Sequence, residues 1–363
     1  MRVRIATLVW RDGYGGVERS VRDLAAALDR DQFDMRCYFL AGPRGSFAEE
    51  IADLGNVVEN LHWHNGFSLA GRWRLLQALH LFDPMIVHDH NIPPLTRPLV
   101  KLACQCPVLH TEHGVAMRHA AGQDGWRRLI ARFDLWFCDR VLANSCASQE
   151  AVRRAYQLSE SKVQVLYLGI DLQRFASAGN LATSRRRLRI GFVGRLLNRH
   201  KGTDYLPRVA RLLYDMGYHD TEFVVVGDGP DRPAVESLCR QMKVTHLFRF
   251  LGFRSDVQSL LSTFDVMLVP SRFESFGLSA LEALAMGVRV IGFDVGGLSE
   301  AVGECDAAYL VPPGDVEALA EVIASIWHLA PIRSQSSRAY VEARFSSQRM
   351  ASDLQQVYRE YAS

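Results

Sequence analysis

The hydrophobic pattern of the chain alternates between two periods. RVRIATLVW, FDMRCYFL, MIVHDHN, PVLHTEHG and DRVLANS read as buried strands. Between them lie segments of helical period: GGVERSVRDLAAALDR, FAEEIADLG, GRWRLLQALHLFDP, PLTRPLVKLACQ and the stretch from Trp126 to Cys138. Strands alternating with helices imply a mostly parallel, doubly wound sheet. After KVQVLYLGIDLQRF the pattern loosens into ASAGNLATSRRRLR, a polar segment that reads as a solvated linker. A second series then starts, with RIGFVGRL, TEFVVVGDG, FRFLGF, DVMLVPS and VRVIGFDV as strands, each leading toward a helix.

The pattern predicts two Rossmann-like domains, 1–170 and 171–345, followed by an amphipathic helix over 346–363. A length of 363 residues fits, because single cores stop growing well below that size. No apolar run approaches the ~18 residues needed to cross a bilayer. MRVRIATLVW runs straight into the turn RDGYGG without a small-residue cleavage site, so it reads as a first strand and not as a signal peptide. Seven cysteines without a framework spacing point to a reducing, cytoplasmic compartment and to buried, inert thiols. Cys104 and Cys106 would share a face if extended, but nothing supplies the other half of a zinc site. A formal charge of +2 gives no reason to expect a nucleic-acid partner. The cations are unevenly divided, 38 Arg to 4 Lys, which makes each lysine conspicuous.

Candidate chemistry gathers at the ends of the strands. In ESFGLSALE, Glu274 and Glu282 would lie roughly 80° apart on one helix, a spacing that makes no i, i+3 or i, i+4 pair. A break at Gly277 would instead place Glu274 on a loop and Glu282 on the inner face of the following helix, so that both could reach one ligand. In GFVGRLLNRHKG, Gly194 and Arg195 close a strand and Lys201 sits near the next helix start, a forked cation and a point charge suited to a diphosphate. Gly227 and Gly229 follow a strand as a G-x-G, but Arg232 stands where a dinucleotide fingerprint has its third glycine, so a dehydrogenase is a distant reading. Gly13, Gly15 and Gly16 precede the first helix, where backbone N–H groups can meet phosphate or sugar oxygens. His88, His90, His110 and His113 cluster in the first half, and read better as polar strand ends facing a crevice than as a metal site.

GGVERS, VHDHN, LHTEHG, GRLLNRHKG, GDGP, LGF, PSRFESFGLSALEALAMG and VPPGD, in this order, resemble family 4 of the glycosyltransferases, retaining enzymes of the GT-B fold, over nearly the whole chain. The resemblance implies two Rossmann-like domains facing a central cleft, the nucleotide sugar on the C-terminal one, the acceptor mainly on the N-terminal one, and a last helix crossing back to the first domain. It assigns Glu282 to the ribose hydroxyls and Glu274 to the transferred sugar, with the backbone of Phe276, Gly277 and Leu278 near sugar or phosphate. Arg195 and Lys201 match the diphosphate-holding pair, His113 the histidine beside the donor sugar, and Gly15 and Gly16 the loop under the phosphates. The implied reaction moves a sugar from a UDP- or GDP-sugar to a glycan or lipid-linked acceptor, with no cofactor and no metal, in bacterial cell-surface polysaccharide or glycolipid synthesis. A non-hydrolysing sugar-nucleotide epimerase and a catalytically silent GT-B binding subunit are the alternatives.

One further segment stands out. Met117 to Arg140 carries Arg118, Arg127, Arg128, Arg132 and Arg140 among Trp126, Leu129, Ile130, Leu135, Trp136 and Phe137. The mixture suits peripheral contact with the inner face of a plasma membrane, and equally a helix turning its apolar face inward.

Overall fold

A computed structural model describes residues 2–362 apart from 14, 43–44, 115–124, 176–186 and 328–333. Most of the expected linker, and Met117 and Arg118 of the arginine-rich segment, lie outside the described residues. The chain divides into two compact units, one of residues 1–170 with 346–363 and one of residues 171–345.

The first unit contains β1 (Val3–Arg11), α1 (Gly16–Ala27), β2 (Phe33–Ala41), α2 (Ser46–Asp53), β3 (Val57–Trp63), α3 (Leu69–Phe82) and β4 (Ile86–His90). It continues with α4 (Arg97–Cys104), β5 (Val108–Glu112), α5 (Gly125–Trp136), β6 (Arg140–Ala143), α6 (Cys146–Tyr156) and β7 (Val163–Val165). Its seven strands pair in parallel in the order β3-β2-β1-β4-β5-β6-β7. Every residue of β4 and β5 is buried, as expected of strands covered on both faces.

β3 escaped the sequence pattern. It is the sheet's edge strand, its N-terminal half is partly exposed, and Glu59 and Asn60 interrupt its apolar alternation. Cys104 and Cys106 do not share a strand: Cys104 ends α4, and Gln105 turns into the left-handed region at φ 52°. All seven thiols are free.

The second unit repeats the plan with β8 (Leu188–Val193), α7 (Asn198–Lys201), α8 (Tyr205–Asp215), β9 (Thr221–Val226), α9 (Arg232–Gln241), β10 (Phe248–Gly252) and α10 (Val257–Leu261). Then follow β11 (Val266–Val269), α11 (Leu278–Ala285), β12 (Arg289–Phe293), α12 (Leu298–Val302), β13 (Ala308–Val311), α13 (Val316–Ile326) and α14 (Gln335–Phe345). The parallel order β10-β9-β8-β11-β12-β13 reverses between β8 and β11. In the first sheet the reversal falls between β1 and β4. Loops leaving the carboxyl ends of strands on either side of such a reversal form the ligand crevice of these sheets.

The last helix, α15 (Ser347–Ala362), belongs to the first unit and packs on α1, β1 and β4. Met350, Ala351, Leu354, Val357 and Tyr358 form its buried stripe, at the spacing of one helix face. Its return fulfils the expectation of a C-terminal helix carried back to the first domain. Tyr358 is fully buried and its hydroxyl lies 2.7 Å from Nδ1 of His88 in β4. Tyr358→Phe keeps the shape of the ring but leaves that imidazole nitrogen without its partner. It is expected to lower the unfolding free energy by about 1–3 kcal/mol. Urea denaturation followed by far-UV circular dichroism checks this, and an unchanged midpoint would show that the helix is held by apolar packing alone.

Candidate active site

In the second unit the loops following β8 and β11 are joined. Gly202 follows α7 at φ 57°, and a Cβ there would overlap the carbonyl oxygen of Pro270, so only glycine lets the two loops come this close. The main-chain N–H groups of Arg272 and Phe273 both donate to the His200 carbonyl, at 2.8 and 3.1 Å. The Arg272 guanidinium forks onto both carboxylate oxygens of Asp204 (2.6 and 2.8 Å), donates to the Asn198 carbonyl (2.7 Å) and lies 4.1 Å from the ring centre of Tyr205. Burial opposes the charge on Asp204, but the Arg272 fork holds its carboxyl below the usual aspartate range. Asp231 adds a third tie by accepting from the Asn198 N–H at 2.6 Å.

This clamp sets Lys201 against Glu274. The ammonium donates to Glu274 Oε2 at 2.6 Å, and the Ser271 hydroxyl donates to the same oxygen at 3.2 Å. Glu274 is buried, and Lys201 keeps about a third of its side chain in solvent. The resemblance assigns the lysine to a diphosphate and the glutamate to a sugar; here the two side chains form one ion pair. Arg195 is different: it is exposed and makes no hydrogen bond or ion pair among the described residues.

Gly277 sits at φ 104° as the N-cap of α11, and Leu278 is the first helical residue. Glu274 is therefore on the loop before the helix, while Glu282 lies within it and is fully buried. Phe276 is buried edge-on against Phe345, with ring centres 5.4 Å apart, which fixes the backbone of the turn. Gly194, Gly227 and Gly229 lie at the ends of β8 and β9, where a Cβ on Gly227 would strike the Gly194 carbonyl and one on Gly229 the Leu196 carbonyl. Their immediate role is thus close approach of two backbone turns. Arg272, Asp204 and Asp231 were missed in the sequence. Arg272 lies inside the run VPSRFESFG, but nothing in that run announces a partner 68 residues away.

The first unit's candidate residues stand at the carboxyl ends of β1, β4 and β5. Gly15 and Gly16 open α1, and the Gly15 N–H donates to Glu18 Oε2 at 3.1 Å, so the helix N-terminus already holds a carboxylate. Burial raises the pKa of Glu18. His113 lies 3.0 Å from His90, Nε2 to Nδ1, so one ring donates and the other accepts. His88 spans Tyr358 and Thr111, at 2.7 Å on either side.

Beside these rings lies a buried charge cluster. Arg97 forks onto Asp89 (2.9 and 2.7 Å) and also pairs with Asp134, and His110 Nδ1 is 2.8 Å from Asp89. Burial works against the Asp89 charge, yet Arg97 and His110 hold its carboxyl well below the ordinary range. Among the described residues no group of three or more His, Cys, Asp or Glu is placed to hold a metal ion.

Residues 14–174 match the family model described as Glycosyltransferase Family 4, and residues 187–328 the model described as Glycosyl transferases group 1. The two matches span most of the chain. The chain belongs to the family 4 glycosyltransferases. A D-inositol 3-phosphate glycosyltransferase from Saccharomonospora viridis is 31% identical over 280 residues, covering 70% of this chain and 64% of that protein. An uncharacterized glycosyltransferase from Methanocaldococcus jannaschii is 28% identical over 296 residues, covering 76% of this chain and 75% of the relative. Like the Saccharomonospora protein, several other curated relatives are matched over less than two thirds of their own length. Anabaena HepE in complex with UDP-glucose superposes with a TM-score of 0.82 at 19% identity over 99% of this chain and 100% of its own. Sucrose-phosphate synthase from Thermosynechococcus elongatus gives 0.80 at 23% identity over 99% of both chains. The fold is that of the GT-B glycosyltransferases, with two Rossmann-like units.

The histidines give the first unit a pH dependence. Burial drives His88 down to about 3 and His113 down to about 4, and holds His90 well below its usual value. These rings bind protons more readily in the unfolded chain, whose imidazoles titrate near ~6.5. Their stabilising contribution is therefore complete above that pH and falls as pH drops toward the folded values. His110 acts in the opposite sense: burial lowers it, but Asp89 leaves its pKa raised, so its contribution is present below ~6.5 and fades as pH rises. With three rings against one, the urea midpoint is expected to be lower at pH 5 than at pH 7.5, and His113→Asn to flatten the slope. A midpoint that rises on acidification would contradict burial of neutral imidazoles.

Proposed function

We propose that the protein is a retaining hexosyltransferase that takes its sugar from a UDP- or GDP-linked donor and passes it to a glycan or lipid-linked acceptor. The proposed setting is bacterial cell-surface polysaccharide or glycolipid synthesis, in the cytoplasm or at the inner face of the plasma membrane. The observation that carries this reading is the pairing of Lys201 with Glu274 at 2.6 Å, at the point where the second sheet reverses its strand order. A nucleotide diphosphate presents charge and hydroxyls to that edge, and the edge offers a matched set: an exposed guanidinium on Arg195, an ammonium on Lys201 and a carboxylate on Glu274. HepE, the fold relative solved with UDP-glucose, makes uridine-linked sugars the first donors to screen.

In this reading Lys201 has two states. Paired with Glu274 at 2.6 Å, its ammonium is committed to the carboxylate. As the sugar leaves, negative charge grows on the diphosphate, and Arg195 and Lys201 meet it at the stage where the transition state needs them. Glu274 is then released to accept from sugar hydroxyls, and Glu282 is assigned to the ribose. The departing phosphate takes the proton of the acceptor hydroxyl, and neither a cofactor nor a metal enters the scheme. No helix among the described residues is long and apolar enough to cross a membrane, so membrane contact in this scheme is peripheral.

Lys201→Ala is expected to lower kcat by ~10²- to 10³-fold at saturating donor. Lys201→Arg should recover only part of this, because a wide fork replaces a compact charge. Glu282→Ala is expected to raise the donor KM with a smaller effect on kcat, and Glu274→Ala the reverse. Nucleotide released only when acceptor is present, with NMR of the product's anomeric configuration, tests the reaction itself. Acceptor-independent interconversion of the donor would favour an epimerase, and an inverted product would end the retaining assignment. Wild-type turnover by Lys201→Ala would return that lysine to a structural role.

A further inference from the structure

Within the arginine-rich segment, helix α5 does not turn its apolar face inward. In α5 only Asp134 and Leu135 are buried, while Trp126 (60%), Leu129 (65%), Phe133 (51%) and Trp136 (69%) are exposed. These four recur at the spacing of a single helix face, so the outward side of α5 is an aromatic and aliphatic stripe. Arg127, Arg128 and Arg132 are exposed beside it. The helix's one acid, Asp134, is buried against Arg97, so α5 shows no acid at its surface. α4, which packs against α5, adds exposed Leu99 (37%) and Leu102 (72%). Large exposed apolar surface rimmed by charge marks a docking site.

A cavity of about 520 Å³ adjoins this stripe within the same unit. Trp10, Phe67, Ile92, Leu95, Trp126 and Ile130 supply its apolar wall, and Arg127 stands at its lining. It lies at the ends of β1, β4 and β5, at the reversal point of the first sheet, the place where such sheets take ligands. Its size is in the range of sites that enclose most of a small ligand. Leu95 is held there at φ 63°, a left-handed conformation that leucine adopts only under constraint, and Asn91 at φ 58° starts the same loop.

We propose that the first unit takes its acceptor from a lipid surface, the exposed stripe of α5 lying on an anionic bilayer while the adjoining cavity receives the hydrocarbon chain of an anionic lipid acceptor. This rests on the glycosyltransferase reading and names the acceptor class within it. Tryptophan, phenylalanine and leucine enter the acyl boundary, and the flanking guanidiniums stay at the headgroups. Charge favours this occupant over a second copy of the chain. A two-fold interface built on the same stripe would bring arginines against arginines with no exposed acid on α5 to pair them. The helix and the cavity share Trp126, Arg127 and Ile130, so a chain leaving the bilayer beside α5 enters the cavity without crossing water.

The test uses two probes that need no sugar donor. Vesicles of phosphatidylglycerol and phosphatidylcholine are expected to sediment the wild-type protein at low salt, with at least ten-fold weaker binding at high salt or with phosphatidylcholine alone. Leu129→Asp with Phe133→Asp, at exposed positions, should abolish binding while the circular dichroism spectrum and UDP binding stay unchanged. Dodecyl phosphate below its micelle concentration should bind by calorimetry where inorganic phosphate does not. Ile130→Trp, which fills the cavity, should weaken that binding at least ten-fold and leave vesicle binding in place. The proposal is overturned by absence of binding to anionic vesicles at low salt, by a solution dimer that the Leu129→Asp, Phe133→Asp pair dissolves, or by dodecyl phosphate binding indifferent to Ile130→Trp. Failure of the transferase reading would show separately, as no acceptor-dependent nucleotide release with any acceptor while both binding results stand.

Discussion

The approach of two loops at the carboxyl edge of the second sheet governs what that unit can do. The contact depends on a missing atom: with any side chain at Gly202, the Pro270 carbonyl would have to move, and the segment bearing Glu274 would move with it. Given that contact, the Arg272 fork to Asp204 and the paired N–H donations to the His200 carbonyl lock the loops in register. The Lys201–Glu274 pair then follows from geometry. An ion pair held by backbone contacts and a planar fork loses less side-chain entropy than one between free surface residues, which is why it forms here while ordinary exposed pairs contribute little.

The same edge shows how a GT-B unit arranges opposing charges without neutralising its site. Glu274 is buried and needs a cation; Arg195 is exposed and commits to nothing among the described residues. In the proposed reaction, a donor that carries both phosphate and hydroxyl groups exchanges with the internal pair, giving the ammonium an anion and the carboxylate a donor. Preorganised groups of this kind are most effective when they meet charge that develops during reaction, since they need no reorganisation at that moment.

The first unit solves a different problem. Asp89 on β4, His110 and Glu112 on β5, Arg97 at the start of α4 and Asp134 in α5 are buried together, where unpaired charges would be strongly destabilising. The carboxylates of Asp89 and Asp134 converge on Arg97, leaving the surface of α5 with arginines and no exposed acid. Burial of the cluster and exposure of the apolar stripe are thus two sides of one helix: Asp134 turns inward to the arginine, and Trp126, Leu129, Phe133 and Trp136 turn outward.

The fold class and both sheets' central strands were legible in the chain, because apolar period is a local signal carried by consecutive residues; the family, and with it the return of the last helix, came from the resemblance that the strand-end motifs carry. The sequence also placed Gly277 as a break between Glu274 and Glu282, since a glycine between a polar loop and an apolar helix has few other uses. Edge strand β3 was illegible because a strand with one neighbour needs no clean alternation. Tertiary structure alone decided that Lys201 meets Glu274 across 73 residues and that Arg272 finds Asp204 across 68, because pairing at that separation is set by strand order and not by spacing. It also decided which way α5 faces. The helical period of Trp126 to Trp136 shows that the helix has an apolar side, but only the position of Arg97, which draws Asp134 inward, determines that this side faces outward.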